Sequence, residues 1–460
     1  MSPLSAAPTP HKARRLAAGW LCAGLAVIAM LAGCASPPTP PPSPPGTRHA
    51  PAELARYEIS RFSWPLASAA GAQQARDTAM AKVARALEAD ADDDTVASAL
   101  RAVAFYDTGH EAGRRILRAV LSDTRLPLLQ RAVEFQRAVL TAAFTLDAVG
   151  TAPWLRSLLP QIATPREFAI ASYALRKADA SPAQRQHLRD ALGRRSDAAD
   201  PRLVALARAL DDDERPLPLP RPPLAELLAM PLLPGRPVVF SLQRRDRRQP
   251  GLALVRDVDG RFVRQDDGLP LHVPHLALAL SGLPGTLTLG NTPQGLFTVV
   301  GAGTAENVWI GPTPFLESKL PLEAGLAEFS HGTQAGDWSE AAYEAWWPAP
   351  WRGFAPVKEA WLAGLAGRDE MLMHGTAVDP APYLGQPYYP GTPTDGCLMA
   401  TELWSPDGRL LRSDQLALAR AFTRSGQDRG FLVVVDIDDA ARPVLLDDVL
   451  PELQRAEGLR

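Results

Sequence analysis

The stretch PTDGCLMATELW, residues 393–404, sets one cysteine, Cys397, between a glycine turn and an apolar run. A thiol with an ordinary pKa near 8.5 is only about 3% ionised at pH 7, so a nucleophilic cysteine needs a partner that takes its proton. Histidine is the usual partner, and the chain has few. His374 closes the run DEMLMHGT, where an apolar strand would deliver an imidazole to a sharp Gly375 turn. A second His-Gly-Thr, around His331 in SHGT, lacks the apolar lead-in and is the runner-up base. His272 and His275 in LHVPH have metal-like spacing, yet no cysteine or clustered carboxylate completes a site, so no metal or other cofactor is expected. The competing reading of Cys397 is a small buried side chain without reactivity.

A strand ending in His-Gly-Thr and followed by a [Ser/Thr]-x-Gly-Cys turn resembles the catalytic domain of YkuD-type L,D-transpeptidases. NTPQGLFTVVG, residues 291–301, looks like that family's Thr-Pro-x-Gly-x-Phe strand segment, and the resemblance spans about residues 280–405. It implies a β-rich α+β fold with Cys397 as nucleophile, His374 as base and Gly375 beside it. The amides of Gly396 and Cys397 would be the oxyanion donors, as preorganised amides at a glycine turn stabilise a tetrahedral oxyanion. Thr376, Arg368 and Thr394 fall at substrate-binding positions. The implied reaction is attack on the L,D amide before a terminal D-alanine of a peptidoglycan stem peptide. A thioacyl-enzyme forms, and the acyl group passes to an amine, or to water in a carboxypeptidase.

The chain departs from the family at Asp395, where histidine is usual, and at Met399, where arginine or asparagine is usual. The insertion YLGQPYYPGTP also lengthens the spacer between His374 and Cys397. A carboxylate beside a thiol raises its pKa unless it is turned toward the imidazole or a cation. Two expectations follow: Asp395 orients His374 as a third triad member, and Arg368 supplies the missing positive charge. The alternative class is a catalytically degenerate envelope lipoprotein that binds peptidoglycan or a protein partner.

These residues need a scaffold and an address. The chain has 460 residues, 46% of them apolar, and a net charge of -3, which fits a multidomain globular protein and offers no basic field for nucleic acid. HKARR, an apolar stretch and LAGC ending at Cys34 read as a lipoprotein signal over residues 1–33, with an uncleaved helical anchor as the alternative. Cys22 would leave with the signal and Cys34 would carry lipid, so Cys397 is the one free thiol of the mature chain. The expected location is the periplasmic side of the envelope, lipid-anchored to the outer membrane.

Cys34 and the Pro-rich residues to 51 read as an extended stalk, reaching roughly 50 Å at about 3.1 Å per residue. Residues 52–210 carry apolar residues at helical spacing and predict an all-α domain, bundle or HEAT-like, able to dock an envelope protein. Residues 211–224, charged and Pro-rich, mark a linker. From 225 to 460 short β-branched runs predict strands, GTLTLG at 285–290 among them, with helices at PVKEAWLAGLAG and SDQLALARAF. RRDRR at 244–248 reads as a solvated turn. Trp346, Trp347, Trp351, Trp361, Tyr383, Tyr388 and Tyr389 line a groove or pack as core.

Overall fold

A computed structural model of the chain describes residues 46–88, 90–106, 111–214 and 221–459. The expected signal, the lipidation site Cys34, most of the stalk and part of the 211–224 linker lie outside the described residues. Among the described residues no helix is long and apolar enough to cross a membrane.

The described residues of 69–212 fold as eight α-helices: α1 (Ala69–Ala86), α2 (Asp93–Tyr106), α3 (Glu111–Leu121), α4 (Val133–Leu146), α5 (Ala148–Leu158), α6 (Pro165–Ala178), α7 (Pro182–Gly193) and α8 (Pro201–Asp212). Their starts are written locally. Ser68 accepts from the Gly71 amide at 3.1 Å, Asp147 from the Gly150 amide at 2.9 Å, and proline opens α6, α7 and α8. Alternate helices α2, α4, α6 and α8 pack side by side, giving a stacked array around Leu100, Val103, Leu140, Ala143, Phe168 and Leu206.

The second part is an eight-strand closed barrel. β1 (Arg48–His49), β2 (Val238–Arg244), β3 (Gly251–Arg256), β4 (His272–Leu276), β5 (Gly295–Gly303), β6 (Phe315–Lys319), β7 (Met371–His374), β8 (Leu398–Ala400) and β11 (Gly430–Asp438) form one sheet. Its order is β1-β5-β11-β2-β3-β4-β8-β7-β6; pairing of β6 back onto β5 closes the ring and leaves β1 as an outer addition. β9 (Glu402–Trp404) and β10 (Leu410–Ser413) form a separate hairpin. Further helices pack around the barrel, among them α9 (Leu224–Ala229), α10 (Glu359–Leu365), α11 (Asp414–Thr423) and α12 (Leu446–Gly458). α11 touches β3, β4, β6 and β8 and shares one core with Val239, Val255, Phe297, Val299, Met373, Leu398 and Val434, so it plugs the ring. On the opposite strand faces Phe240, Leu254, Phe431 and Val433 pack under α9 and α12. Strands covered on both faces need not alternate, which is why β11 reads as the unbroken run GFLVVVDI. The chain is thus α+β, a helical array and a β-rich barrel.

Several sequence expectations change. The sequence pattern puts the stalk to residue 51 and the helical domain from 52, but β1 pairs with β5, and Leu54 is fully buried in the barrel core with α11 beside it. His49, assigned to the stalk, is buried against the Thr304 hydroxyl at 2.7 Å. Residues 48–62 therefore belong to the barrel, because their scattered apolar side chains fill its surface rather than one helix face. GTLTLG is a turn-rich loop, not a strand; Leu283 and Leu287 of this region sink into the helical core. RRDRR is only partly solvated. Arg244 is buried with Asp448 at 2.7 Å and Asp438, and Arg247 with Asp436, because the parallel neighbour β11 ends in acids beside these positions. Trp347, Trp351 and Trp361 are core, as is Tyr383, while Tyr389 is exposed.

Candidate functional site

β7 and β8 run side by side and parallel, with Met373 opposite Leu398 and His374 opposite Met399. Cys397 directly precedes β8. His374 thus ends one strand and Cys397 stands directly before the start of its parallel neighbour. Residues 375–397 connect the two strands and include the long insertion. Its Tyr388 packs near Leu276, Leu278 and Met399.

The cysteine turn is braced from several sides. Gly396 has φ +119°, and a side chain there would meet Arg368 and the Gly290 carbonyl. The Thr394 hydroxyl accepts from the Gly396 amide at 3.0 Å and donates to the Cys397 carbonyl at 2.8 Å. Thr292 donates to the Gly396 carbonyl at 2.9 Å. Arg368 is buried and donates to the carbonyls of Gly290 (2.6 Å), Asn291 (2.8 Å), Gly396 (3.5 Å) and Gly285. Its charge lies near the thiol, and its guanidinium, expected at a substrate-binding position, is engaged in this arrangement by the carbonyls of the 285–291 loop and of Gly396.

The other expected binding groups are also engaged. Thr376 is buried, accepts from the Val378 amide at 3.0 Å and donates to the Trp309 carbonyl at 3.3 Å. Thr394 shapes the turn, and because it holds the Gly396 amide, that amide is not presented as an oxyanion donor in this arrangement.

The thiol accepts from the Leu372 amide at 3.4 Å and donates to the Glu370 carbonyl at 3.7 Å. Burial, then Asp395 and Glu370, push it up to about 11 against the opposing Leu372 amide and Arg368 charge. Cys397 nevertheless keeps part of its residue surface exposed. Nδ1–H of His374 donates to the Gly375 carbonyl, which leaves Nε2 as the basic nitrogen. Burial lowers this imidazole to about 4, although Gly375 and Asp395 favour its protonation. Among the described residues no hydrogen bond joins Cys397 to His374. Burial thus favours the neutral form of both groups.

Asp395 does not orient the imidazole; the Gly375 carbonyl does. The Asp395 carboxylate instead pairs with Arg101 of α2 at 2.5 Å. His331 lies elsewhere, in a turn whose imidazole packs against β5 and β11, bonded to the Gly430 carbonyl at 3.0 Å and edge-on to Phe431. His272 and His275, three apart on β4, face opposite sides, and His275 is buried with its Nδ1 on the Ser241 hydroxyl at 2.9 Å.

Two residues near the site escaped sequence reasoning. Arg101 is far away in sequence, and only the packing of α2 brings it in. Glu402 carried a faint signal, as the one acid in the apolar run after Cys397. It is buried, accepts from the Ser413 hydroxyl at 2.7 Å and occupies the space where residue 375 would carry a Cβ, so only glycine fits there. Burial raises its carboxyl to about 8. A cavity of about 390 Å³ lies between α6, α8 and the barrel, lined by Thr292, Asn291, Arg176, Arg247 and Glu359; neither Cys397 nor His374 lines it.

No family model, curated protein or solved structure matches the chain.

Proposed function

We propose that the protein is a peptidoglycan-modifying cysteine acyltransferase of the L,D-transpeptidase kind, held at the periplasmic side of the envelope by a lipid on Cys34. The observation that carries this reading is that β7 ends in His374 and its parallel neighbour β8 begins directly after Cys397, with His374 held in the tautomer that leaves Nε2 as its unprotonated nitrogen. In this mechanism a bound stem peptide displaces the thiol from the Glu370 carbonyl and turns it toward Nε2. The Cys397 sulfur attacks the amide carbonyl while its proton passes to His374. Collapse of the tetrahedral intermediate returns that proton to the leaving amine and leaves a thioester, which an amine or water then cleaves.

A specific observation favours a second reading. The Sγ–H hydrogen bond to Glu370, the depressed basicity of His374 and the occupied Gly396 amide suit a degenerate domain that binds peptidoglycan or an envelope partner.

Mass spectrometry separates the two. Chain beginning at Gly46, which keeps β1, is incubated with tetrapeptide muropeptides beside a Cys397→Ala control. The enzyme reading expects cross-linked or trimmed products, or a thioacyl adduct, only with the cysteine present. Absence of all three across pH 6 to 10 would leave binding as the better account.

A further inference from the structure

One face of α2 touches both arms of the site. Arg101 and Phe105, one helical turn apart, point the same way. Arg101 Nη2 reaches Asp395 Oδ2 at 2.5 Å, on the turn that carries Cys397. The Phe105 ring packs against Trp309 and Tyr383, with centroids 6.0 and 6.2 Å away. Trp309 supplies the carbonyl that accepts from the Ala377 amide at 2.8 Å and from Thr376, directly after the His374–Gly375 step. Tyr383 opens the inserted loop between the two arms. The helical array therefore grips the cysteine turn by an ion pair and the histidine arm by aromatic packing.

The charges that face the thiol are Asp395 and Glu370, which oppose thiolate formation, and Arg368, which favours it. Glu370 is tied through its amide to Glu323 at 3.1 Å, and Arg368 is tied to carbonyls. Asp395 is the member of this set whose charge an element outside the barrel neutralises. Its carboxylate also faces His374, whose protonation it favours.

On the reading of Cys397 as nucleophile, we propose that Arg101 is a positioning residue through which the helical array sets the reactivity of Cys397, by holding and neutralising the Asp395 carboxylate. Without the guanidinium, Asp395 keeps its full charge beside the sulfur and is free to swing across the turn. Thiolate formation then becomes harder. Both side chains of the pair are about half exposed (52% and 43%), so water and salt soften the effect.

The test is the pH profile of Cys397 alkylation by iodoacetamide, followed on the full chain in detergent by peptide-resolved mass spectrometry so that the other cysteines do not interfere. Arg101→Ala is expected to move the midpoint upward and slow alkylation at pH 8 about two- to fivefold. Arg101→Lys restores most of the rate. In the Asp395→Asn background the same Arg101→Ala change has no further effect, since the charge it manages is gone. Added salt brings the wild-type profile toward that of Arg101→Ala. An alkylatable Cys397 whose profile ignores Arg101→Ala overturns the positioning role alone. So does an Arg101→Ala effect of equal size with Asn at 395, which would mark a purely structural contact. A wild-type thiol that stays unmodified at every pH, as it does in all the variants, overturns the nucleophile itself and the positioning role with it.

Discussion

At the scale of single residues, the site is governed by burial more than by charge pairing. Cys397, His374 and Glu402 are all displaced toward their neutral forms, and burial is the first cause in each case. Glu402 has a consequence for stability. Its carboxyl is raised from 4.5 to about 8, so the folded state holds a proton that the unfolded chain releases from about pH 4.5 upward. The contribution of Glu402 is therefore fully present below pH 4.5 and is lost as pH rises to about 8. Glu402→Gln, which keeps the shape and stays neutral, is expected to match wild type near pH 4 and to exceed it by about 2–4 kcal/mol at pH 8 to 9. Urea melts at the two pH values check this; an equal difference at both would mean that the carboxyl does not titrate with folding.

At the scale of elements, the parallel β7–β8 pair sets His374 at the end of one strand and Cys397 directly before its neighbour, and the 285–291 loop holds the cysteine turn through Arg368. The TPQG segment at the head of β5 has a structural part in this, since Thr292 holds the Gly396 carbonyl. The segment around β1 is equally part of the barrel. Leu54 is fully buried, so Leu54→Ala is expected to lower barrel stability by about 3 kcal/mol, read as a shift in the urea midpoint of tryptophan fluorescence. A change under about 0.5 kcal/mol would detach this segment from the barrel core.

At the scale of the molecule, the helical array and the barrel share structure. Leu283 and Leu287 leave the barrel and lie in the helical core, Thr145 of α4 donates to the Ser281 carbonyl at 2.9 Å, and Arg202 of α8 donates to the Ala366 carbonyl. With these shared contacts, unfolding is expected to be one cooperative transition: helical circular dichroism and tryptophan fluorescence, which mainly reports the barrel, should share a urea midpoint. Leu287→Ala should lower both together by about 3 kcal/mol. Two separated transitions would show that the parts fold independently.

Local chemistry determined what could be read from the sequence. The helices of residues 69–212 were legible because their caps and three-to-four spacing lie within each segment, β5 and β11 because their β-branched runs stop at glycine or acids, and β7 because its short apolar run stops at His374–Gly375. Cys397 and His374 stood out as a rare thiol and a strand-borne imidazole. The partners of these groups were decided by contacts between distant segments. Asp395 offered equal chemistry to His374 and to any nearby cation, and only the packing of α2 chose Arg101. Arg368 carried a charge that spacing could not distinguish from a substrate clamp until the 285–291 carbonyls closed around it. Whether a thiol is ionised, an imidazole basic or a carboxyl protonated depends on burial and on neighbours hundreds of residues away, and those exist only once the chain has folded.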